Sequence, residues 1–226
     1  EENTAAVAAM DDIVIVCYSG QSAAFATALL RLAGYTNAKS MKFGMTSWNS
    51  DFDSWSNNVS SYYAQFLETT SNAIGAAGDY PVINTGEENG DDILKARIQA
   101  IFDEGFSNNA IGASNVTDNP SNYYVVNYWP NGQYLDPGHI PGAFCYEPGS
   151  SFTTTTNLAT LPTDETIVVY CYTGQTSAFM AAFLNVLGYD AKTLKFGANS
   201  MFTGTLPSSN WSTDNIKEYT YDSTTK

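Results

Sequence analysis

Two cysteines occur in the same short motif, and their surroundings predict a nucleophilic sulfur. Residues 13–25 read IVIVCYSGQSAAF and residues 167–179 read IVVYCYTGQTSAF, so that Cys17 and Cys171 occupy equivalent positions. Each cysteine follows an apolar, β-branched run and precedes a loop with glycine and then a helical pattern. Backbone N–H groups at such a helix start favour negative charge, and this kind of site lowers the pKa of a thiol.

The remaining residues of both loops are candidates for binding a negative sulfur atom. Gly20 and Gly174 allow the backbone to turn tightly, and Ser22 and Thr176 are expected to cap the helix or to donate a hydroxyl hydrogen bond. The amides expected to surround the sulfur atoms belong to Tyr18, Ser19, Gly20, Gln21 and Ser22 in one loop and to Tyr172, Thr173, Gly174, Gln175 and Thr176 in the other. The competing interpretation is an idle buried cysteine, and recurrence in two loops weighs against it.

The repeat also predicts the elements that position the cysteines. Ile13–Val16 and Ile167–Tyr170 have the composition of buried strands, and a helical pattern ending near Gly34 or Gly188 follows each loop. The helical apolar positions are Phe25, Leu29 and Leu32 in one copy and Phe179, Phe183 and Val186 in the other, and Met41 and Leu194 fall in the next strand. A strand, loop, helix and strand in each copy predict a parallel α/β sheet flanked by helices.

The two copies differ in extent. A helix is predicted over Asp91–Gly105, a strand at Tyr124 and a turn over Gly138–Ala143, whereas only residues 1–12 precede Ile13. The first unit is therefore predicted to lack its N-terminal half, which a missing N-terminal fragment or a swapped homodimer partner would complete. The expected division is the C-terminal half of a first unit at 1–50, a linker or wrap at 51–90, a complete second unit at 91–205 and a tail at 206–226.

Composition limits the classes of partner. The formal net charge is −14 with only 9 Lys plus Arg, so that nucleic acid and anionic lipid surfaces are disfavoured. No apolar run reaches the length of a membrane span. Three widely spaced cysteines and one histidine fit neither a disulfide framework nor a zinc site, and no metal or cofactor is expected. Scarce Lys with abundant Asn, Ser, Thr and Tyr slightly favours an exported protein.

Three features of the sequence carry a resemblance to a known family. They are the two C-Y-S/T-G-Q-S/T loops, the turn Gly138-His-Ile-Pro-Gly-Ala143 and the segment Lys42-Phe-Gly-Met-Thr-Ser-Trp48. The chain resembles rhodanese-like domains in tandem, over about residues 90–205 and 1–50. This resemblance implies sulfur transfer without a cofactor, in which a thiosulfate- or persulfide-type donor gives its outer sulfur to Cys171 or Cys17. The implied partners are a small sulfur-containing anion or a thiol. The persulfide would then pass the sulfur to a thiol or to cyanide.

The chain departs from the family at charged positions. Many active members carry Arg inside the cysteine loop, which here has none, and the family's D-V-R segment is replaced by Asn127-Tyr128-Trp129. Lys42 and Lys195 are the candidate substitutes for the missing charge. The missing charges count against thiosulfate as the donor, and a non-catalytic binding or sensing module is the alternative function.

Three other features have alternative interpretations. A phosphatase of related fold needs Arg six positions after the cysteine, where the chain has Ala23 and Ser177, and this function is disfavoured. His139 could act as an acid or base, but within the turn a structural role is favoured. Cys145 is either a resolving thiol or a small core residue, and the second is favoured.

Overall fold

Parallel strands form both sheets of the protein, whose computed structural model describes residues 12–222. The first sheet pairs β1 (Ile13–Ile15) with β2 (Ala38–Ser40). The second sheet has five strands in the order β3-β7-β6-β4-β5, with β3 at Ala110–Ile111, β4 at Tyr124–Asn127, β5 at Phe144–Cys145, β6 at Ile167–Tyr170 and β7 at Ala191–Leu194. All pairs in both sheets are parallel, which confirms the predicted α/β class.

Helices flank the larger sheet. Their bounds are α1 (Gln21–Leu32), α2 (Gly90–Asn108), α3 (Ala113–Thr117), α4 (Asn131–Leu135), α5 (Gln175–Val186) and α6 (Asn199–Phe202). The helix predicted over Asp91–Gly105 is confirmed as α2. Its start is capped by Asn89, whose side chain accepts a hydrogen bond from the Asp92 backbone N–H, and its regular part ends at Gly105, where φ is 73°.

The repeat appears as two equivalent units of strand, helix and strand. The first is β1-α1-β2 and the second is β6-α5-β7, and each helix is followed by a glycine with positive φ, 101° at Gly34 and 95° at Gly188. Met41 lies just beyond β2, although its backbone N–H still donates to Ile15 O over 3.2 Å. Cys171 directly follows β6 and Cys17 lies two residues beyond the end of β1, and each is in the loop before its helix.

The predicted burial of the first strand is wrong. Val14 and Val16 are 57% and 44% exposed, whereas Val168 and Tyr170 at the equivalent positions are fully buried. In the second unit this face packs against a core that includes Trp129, which follows β4. Nothing within residues 12–222 takes the place of β4 beside β1, so that the same face of β1 is open to solvent.

Small residues let the two repeat helices pack closely. Ala24 and Ala28 of α1 share a buried cluster with Ala178 and Ala182 of α5, and α2 closes this cluster through Ile101. The separation of packed helices falls with the size of the side chains between them. The two cysteine loops, which precede these helices, are thereby brought to the same side of the molecule.

A tryptophan joins the two units. Trp55 is fully buried, and its ring centre lies 5.1 Å from that of Phe43 and 5.0 Å from that of Phe196. Phe43 and Phe196 are equivalent residues of the repeat, and Trp211 stacks on Trp55 at 5.4 Å. Residues from both units and from the segments that follow them therefore share one aromatic cluster.

The segment after the first unit lies across the second. The Ser60 backbone N–H donates to Asn199 O over 2.9 Å, and Glu68 forms an antiparallel bridge with His139. The C-terminal segment returns to the first unit, where the Lys217 backbone N–H donates to Ser47 O over 3.0 Å. Over the described part of the chain, no helix combines the length and apolar character that crossing a bilayer requires.

Candidate active site at the cysteine loops

Backbone amides donate to the sulfur atoms of both repeated cysteines. Cys17 Sγ accepts from the Gly20 N–H at 3.0 Å and the Ala23 N–H at 3.4 Å, and Cys171 Sγ accepts from the Ser177 N–H at 3.3 Å. Donors at a helix start stabilise negative charge on the atom that they contact. In both loops, therefore, backbone N–H groups of the helix start are directed at the cysteine sulfur.

The donating amides differ from those expected. Gly20 belongs to the predicted set, whereas Ala23 and Ser177 lie one residue beyond it. Their amides belong to the first turn of α1 or α5, which places them over the sulfur. No side-chain signal marks such donors, because the backbone N–H is common to nearly all residue types.

Glycines take the cap positions of both helices. Gly20 and Gly174 are in the left-handed conformation, with φ of 83° and 74°, and immediately precede α1 and α5. The expected capping by Ser22 and Thr176 is wrong, because each is the second residue of its helix and neither cap has a side-chain hydrogen bond. Because a left-handed glycine already occupies the N-cap position, the hydroxyls of Ser22 and Thr176 lie inside the first turn, where they do not cap the helix.

The segment after each unit's second strand closes over the cysteine loop. The Met45 N–H donates to Cys17 O over 2.8 Å, and the Ala198 N–H donates to Cys171 O over 2.9 Å. Phe43 and Phe196, which begin the two turns, have φ of 61° and 59°. A positive φ at a bulky residue is unfavourable and is retained only where surrounding contacts impose it.

Two glutamines connect the loops reciprocally. Gln21 Oε1 accepts from the Phe196 N–H at 2.6 Å, and Gln175 Oε1 accepts from the Phe43 N–H at 3.1 Å. Both glutamines are more than nine-tenths buried, with exposures of 2% and 8%. Each loop therefore binds the closing segment of the opposite unit through a Gln side chain, for which the sequence predicted only a backbone role.

The other predicted loop residues have unequal surroundings. Tyr18 is 65% exposed, whereas Tyr172 is partly buried and stacks on Trp129, with ring centres 4.6 Å apart. Thr173 Oγ1 accepts from the Gln175 backbone N–H at 3.4 Å, and the side chain of Ser19 interacts with Gln21. The second loop therefore packs against the buried Trp129 ring through Tyr172, a contact that the sequence did not predict.

A cavity of about 410 Å³ lies beside the second cysteine loop. The loop contributes Cys171, Tyr172, Thr173, Gln175 and Thr176, and the first unit contributes Ala24, Ser40 and Lys42. Both candidate lysines are exposed, but Lys195 does not line this cavity. The site at Cys171 is thus built from both units.

His139 has the surroundings of a structural residue. Its side chain is fully buried, Nδ1 donates to Tyr134 O over 2.8 Å, and the imidazole stacks on the Tyr134 ring with centres 3.6 Å apart. Burial lowers the pKa of His139, and the hydrogen bond to Tyr134 partly opposes that shift. The imidazole thus fixes the turn and does not line the Cys171 cavity.

Cys145 lies in β5 and has a different environment. Its Sγ lies 3.7 Å from Trp129 O, and burial, followed by the charge of Glu147, raises its pKa to about 11. It lines a separate cavity from that of Cys171, and all three cysteines are free thiols. Cys145 is therefore a half-buried residue at a separate cavity, neither fully buried in the core nor a lining residue of the Cys171 cavity.

The fold and the paired cysteine loops define a parallel α/β protein with two units of one kind. Residues 2–51 and 114–201 match the family model of the rhodanese-like domain. The chain therefore belongs to the rhodanese-like family, and the two matched segments agree with tandem units. No curated protein matches this chain.

Two solved structures are similar to parts of the chain. A rhodanese-related protein from Thermoplasma volcanium is 23% identical over 43% of this chain and 94% of its own, with a TM-score of 0.36. A protein of unknown function from Rhodopseudomonas palustris, described as a possible tyrosine phosphatase, is 18% identical over 57% of this chain and 98% of its own, with a TM-score of 0.37.

Glu68 binds the backbone of the Gly138–Ala143 turn, and its ionisation should make the free energy of unfolding depend on pH. Its Oε2 accepts from the Gly142 N–H at 2.8 Å and from Asn72 Nδ2 at 2.9 Å, and these bonds lower its pKa from 4.5 to about 2. A lowered carboxyl pKa stabilises the fold fully above the unfolded value, and the stabilisation is lost as pH falls through the folded value. We expect the free energy of unfolding to fall between pH 4.5 and about 2 less steeply in Glu68→Gln than in the wild type.

Urea titrations at several pH values measure this difference. Glu87→Gln is the matched control because Glu87 is exposed. The free energy of unfolding of this variant should depend on pH as that of the wild type does. Parallel acid dependences for the wild type and Glu68→Gln would contradict the assignment.

Proposed function

We propose that this protein is a sulfurtransferase that carries a sulfane sulfur on its loop cysteines. A cysteine thiolate attacks the outer sulfur of a donor such as thiosulfate, the S–S bond of the donor breaks and sulfite leaves with the electron pair. A thiol or cyanide then attacks the outer sulfur of the persulfide, and the cysteine leaves as the thiolate. The observation that supports this most is the donation of helix-start amides to sulfur in both loops, at 3.0 and 3.4 Å for Cys17 and at 3.3 Å for Cys171.

The surroundings of Cys171 suit a reaction with a small donor. The Cys171 residue is only 3% exposed, but it lines a cavity of about 410 Å³. A persulfide formed there would extend into the cavity and remain within reach of a small acceptor. Amides aimed at the sulfur would stabilise its anionic form before and after transfer.

The arginines of the chain support sulfur transfer over phosphate chemistry. A cysteine phosphatase holds phosphoryl oxygens with a bidentate Arg in the loop. The only two arginines are used elsewhere, since Arg31 Nε donates to Ala38 O over 2.7 Å and Arg97 Nε donates to Val186 O over 3.2 Å. The position six residues after Cys171 is Ser177, whose contribution at the sulfur is a backbone amide.

Intact mass spectrometry tests the proposal directly. The purified protein is incubated with thiosulfate or with a polysulfide, desalted and weighed before and after treatment with cyanide. We expect a gain of one sulfur atom per reactive cysteine, and its removal by cyanide as thiocyanate. Absence of any gain from both donors would overturn the proposal and favour the non-catalytic binding module.

A further inference from the structure

We propose that a cavity beside the turn Tyr62–Phe66 is a binding site for a small quaternary ammonium compound. The cavity has a volume of about 330 Å³, and none of its lining residues lines the Cys171 cavity. Binding at this cavity and sulfur transfer at the cysteine loops are therefore independent of each other.

Three parts of the chain line the cavity. They are the short helical turn Tyr62–Phe66, the end of α3, and apolar residues of the second unit that include Ile140 and Phe202. Backbone hydrogen bonds hold the chain before the turn against the second unit, because Ser60 O accepts from the Thr203 N–H at 2.8 Å. The Gly204 N–H likewise donates to the Ser61 hydroxyl over 3.0 Å. The cavity is therefore formed in the protein without a ligand, as most small-molecule sites are.

Three aromatic side chains meet at this cavity. Tyr62 and Phe66 are 63% and 51% exposed, and both line the cavity together with Tyr63. The centres of the three rings lie 5.2–6.2 Å apart. Large apolar side chains exposed together at a cavity are a feature of binding surfaces. The faces of aromatic rings carry negative potential, so such a cavity attracts organic cations.

The charge at the cavity has the sign that a cation requires. Asp118 is the charged residue among the described residues that line it, and its Oδ1 accepts from the Tyr63 hydroxyl at 3.0 Å. The ion pairs within residues 12–222 do not include Asp118. The net charge of −14 adds a long-range attraction for cations. An organic cation would thus meet both a carboxylate and aromatic faces.

The scarcity of hydrogen-bond acceptors favours a quaternary over a primary ammonium group. A primary ammonium has three N–H donors, and each of them needs an acceptor when it leaves water. At this cavity the Asp118 carboxylate is the strong acceptor, and the Thr117 hydroxyl is directed at Ala113 O, 3.0 Å away in its own helix. A quaternary head group has no N–H, and its methyl groups pack directly against aromatic and aliphatic side chains. Its charge needs no hydrogen bond to be stabilised by ring faces.

Isothermal titration calorimetry of the full chain with three small alcohols tests the proposal. Choline carries the quaternary cation, neohexyl alcohol is its neutral isostere with carbon in place of nitrogen, and ethanolamine carries a primary ammonium. All three are titrated at the same ionic strength, so that screening of the protein charge is equal. We expect choline to bind about threefold to thirtyfold more tightly than neohexyl alcohol, and more tightly than ethanolamine.

Two variants separate the contribution of the rings from that of the carboxylate. Phe66→Leu keeps an apolar side chain but removes a ring face, and Asp118→Asn keeps an oxygen for the Tyr63 hydroxyl but removes the charge. We expect each to weaken choline binding about threefold to tenfold and to leave the affinity for neohexyl alcohol nearly unchanged. Phe102→Leu and Asp103→Asn are the matched controls, because both residues are exposed on α2 and neither lines the cavity.

The outcomes decide between a cation site and a plain apolar groove. Equal affinities of the wild type for choline and neohexyl alcohol, or no binding of choline, would overturn the proposal. A loss of choline affinity in Phe102→Leu and Asp103→Asn as large as that in the cavity variants would also overturn it, because the attraction would then be diffuse. Tighter binding of ethanolamine than of choline would overturn the quaternary class. A loss confined to choline and to the two cavity variants supports the site, whether or not the protein transfers sulfur.

Discussion

The Cys171→Ser variant is expected to lose thiosulfate-dependent sulfur loading at residue 171 entirely. The sulfur atom is the bond-forming atom, and loss of a nucleophile in covalent catalysis lowers the rate by about a thousandfold or more. A serine hydroxyl in the same place cannot form a persulfide, although it can still accept the Ser177 N–H that Cys171 now accepts at 3.3 Å. Peptide mapping after thiosulfate treatment measures the loading at each cysteine.

Cys145→Ser is the control for this experiment. Cys145 lies in β5, its pKa is raised to about 11, and it lines a cavity that Cys171 does not share. Its replacement should leave the sulfur on the Cys171 peptide in place. Equal loading of the wild type and Cys171→Ser, with the sulfur on the Cys145 peptide in both, would contradict the assignment of the nucleophile.

The strands and helices around each cysteine could be predicted because the repeated sequence carries the local signals for them. The apolar run before each cysteine, the glycine at each loop and the helical spacing after it are local signals, and they correctly indicated β6, α5 and β7. The same signals in the first copy indicated β1 and α1 but misjudged burial. A β-branched strand such as Ile13–Ile15 has the same composition whether or not another element covers it, and Val14 is 57% exposed.

The relationship between the two units could not be predicted. Lys42 lines the same cavity as Cys171, and Gln21 binds the backbone of Phe196, but neither partner is near in sequence. These contacts follow from the packing of α1 against α5 through alanines, which sequence patterns do not specify. The sequence located the two cysteine loops but not the residues of the opposite unit that contact them, and the function of these loops stays a prediction.

Gly197→Ala is expected to destabilise the protein by about 2–4 kcal/mol and to displace the Cys171 loop. Gly197 has φ of 55°, and a Cβ there would lie 2.3 Å from Cys171 O and 2.6 Å from the Gly174 N. Both neighbours are backbone atoms, so no side-chain rotation can relieve the contact. The turn that begins at Phe196 must therefore move away from the cysteine loop. Urea unfolding followed by near-ultraviolet circular dichroism measures the loss, and sulfur loading from thiosulfate should fall with it.

Gly132→Ala shows what the same substitution does where space allows it. Gly132 lies in α4, and a Cβ there meets nothing within 4 Å. Alanine is the better helix former by about 1 kcal/mol, so this variant should be as stable as the wild type or slightly more so. Equal urea midpoints for Gly197→Ala and Gly132→Ala would contradict this prediction. The segment after β7 could then not pack against the cysteine loop as closely as the 2.9 Å bond from the Ala198 N–H to Cys171 O requires. A normal stability with lost sulfur loading would instead show that the closing turn positions the reactive sulfur without contributing to the fold.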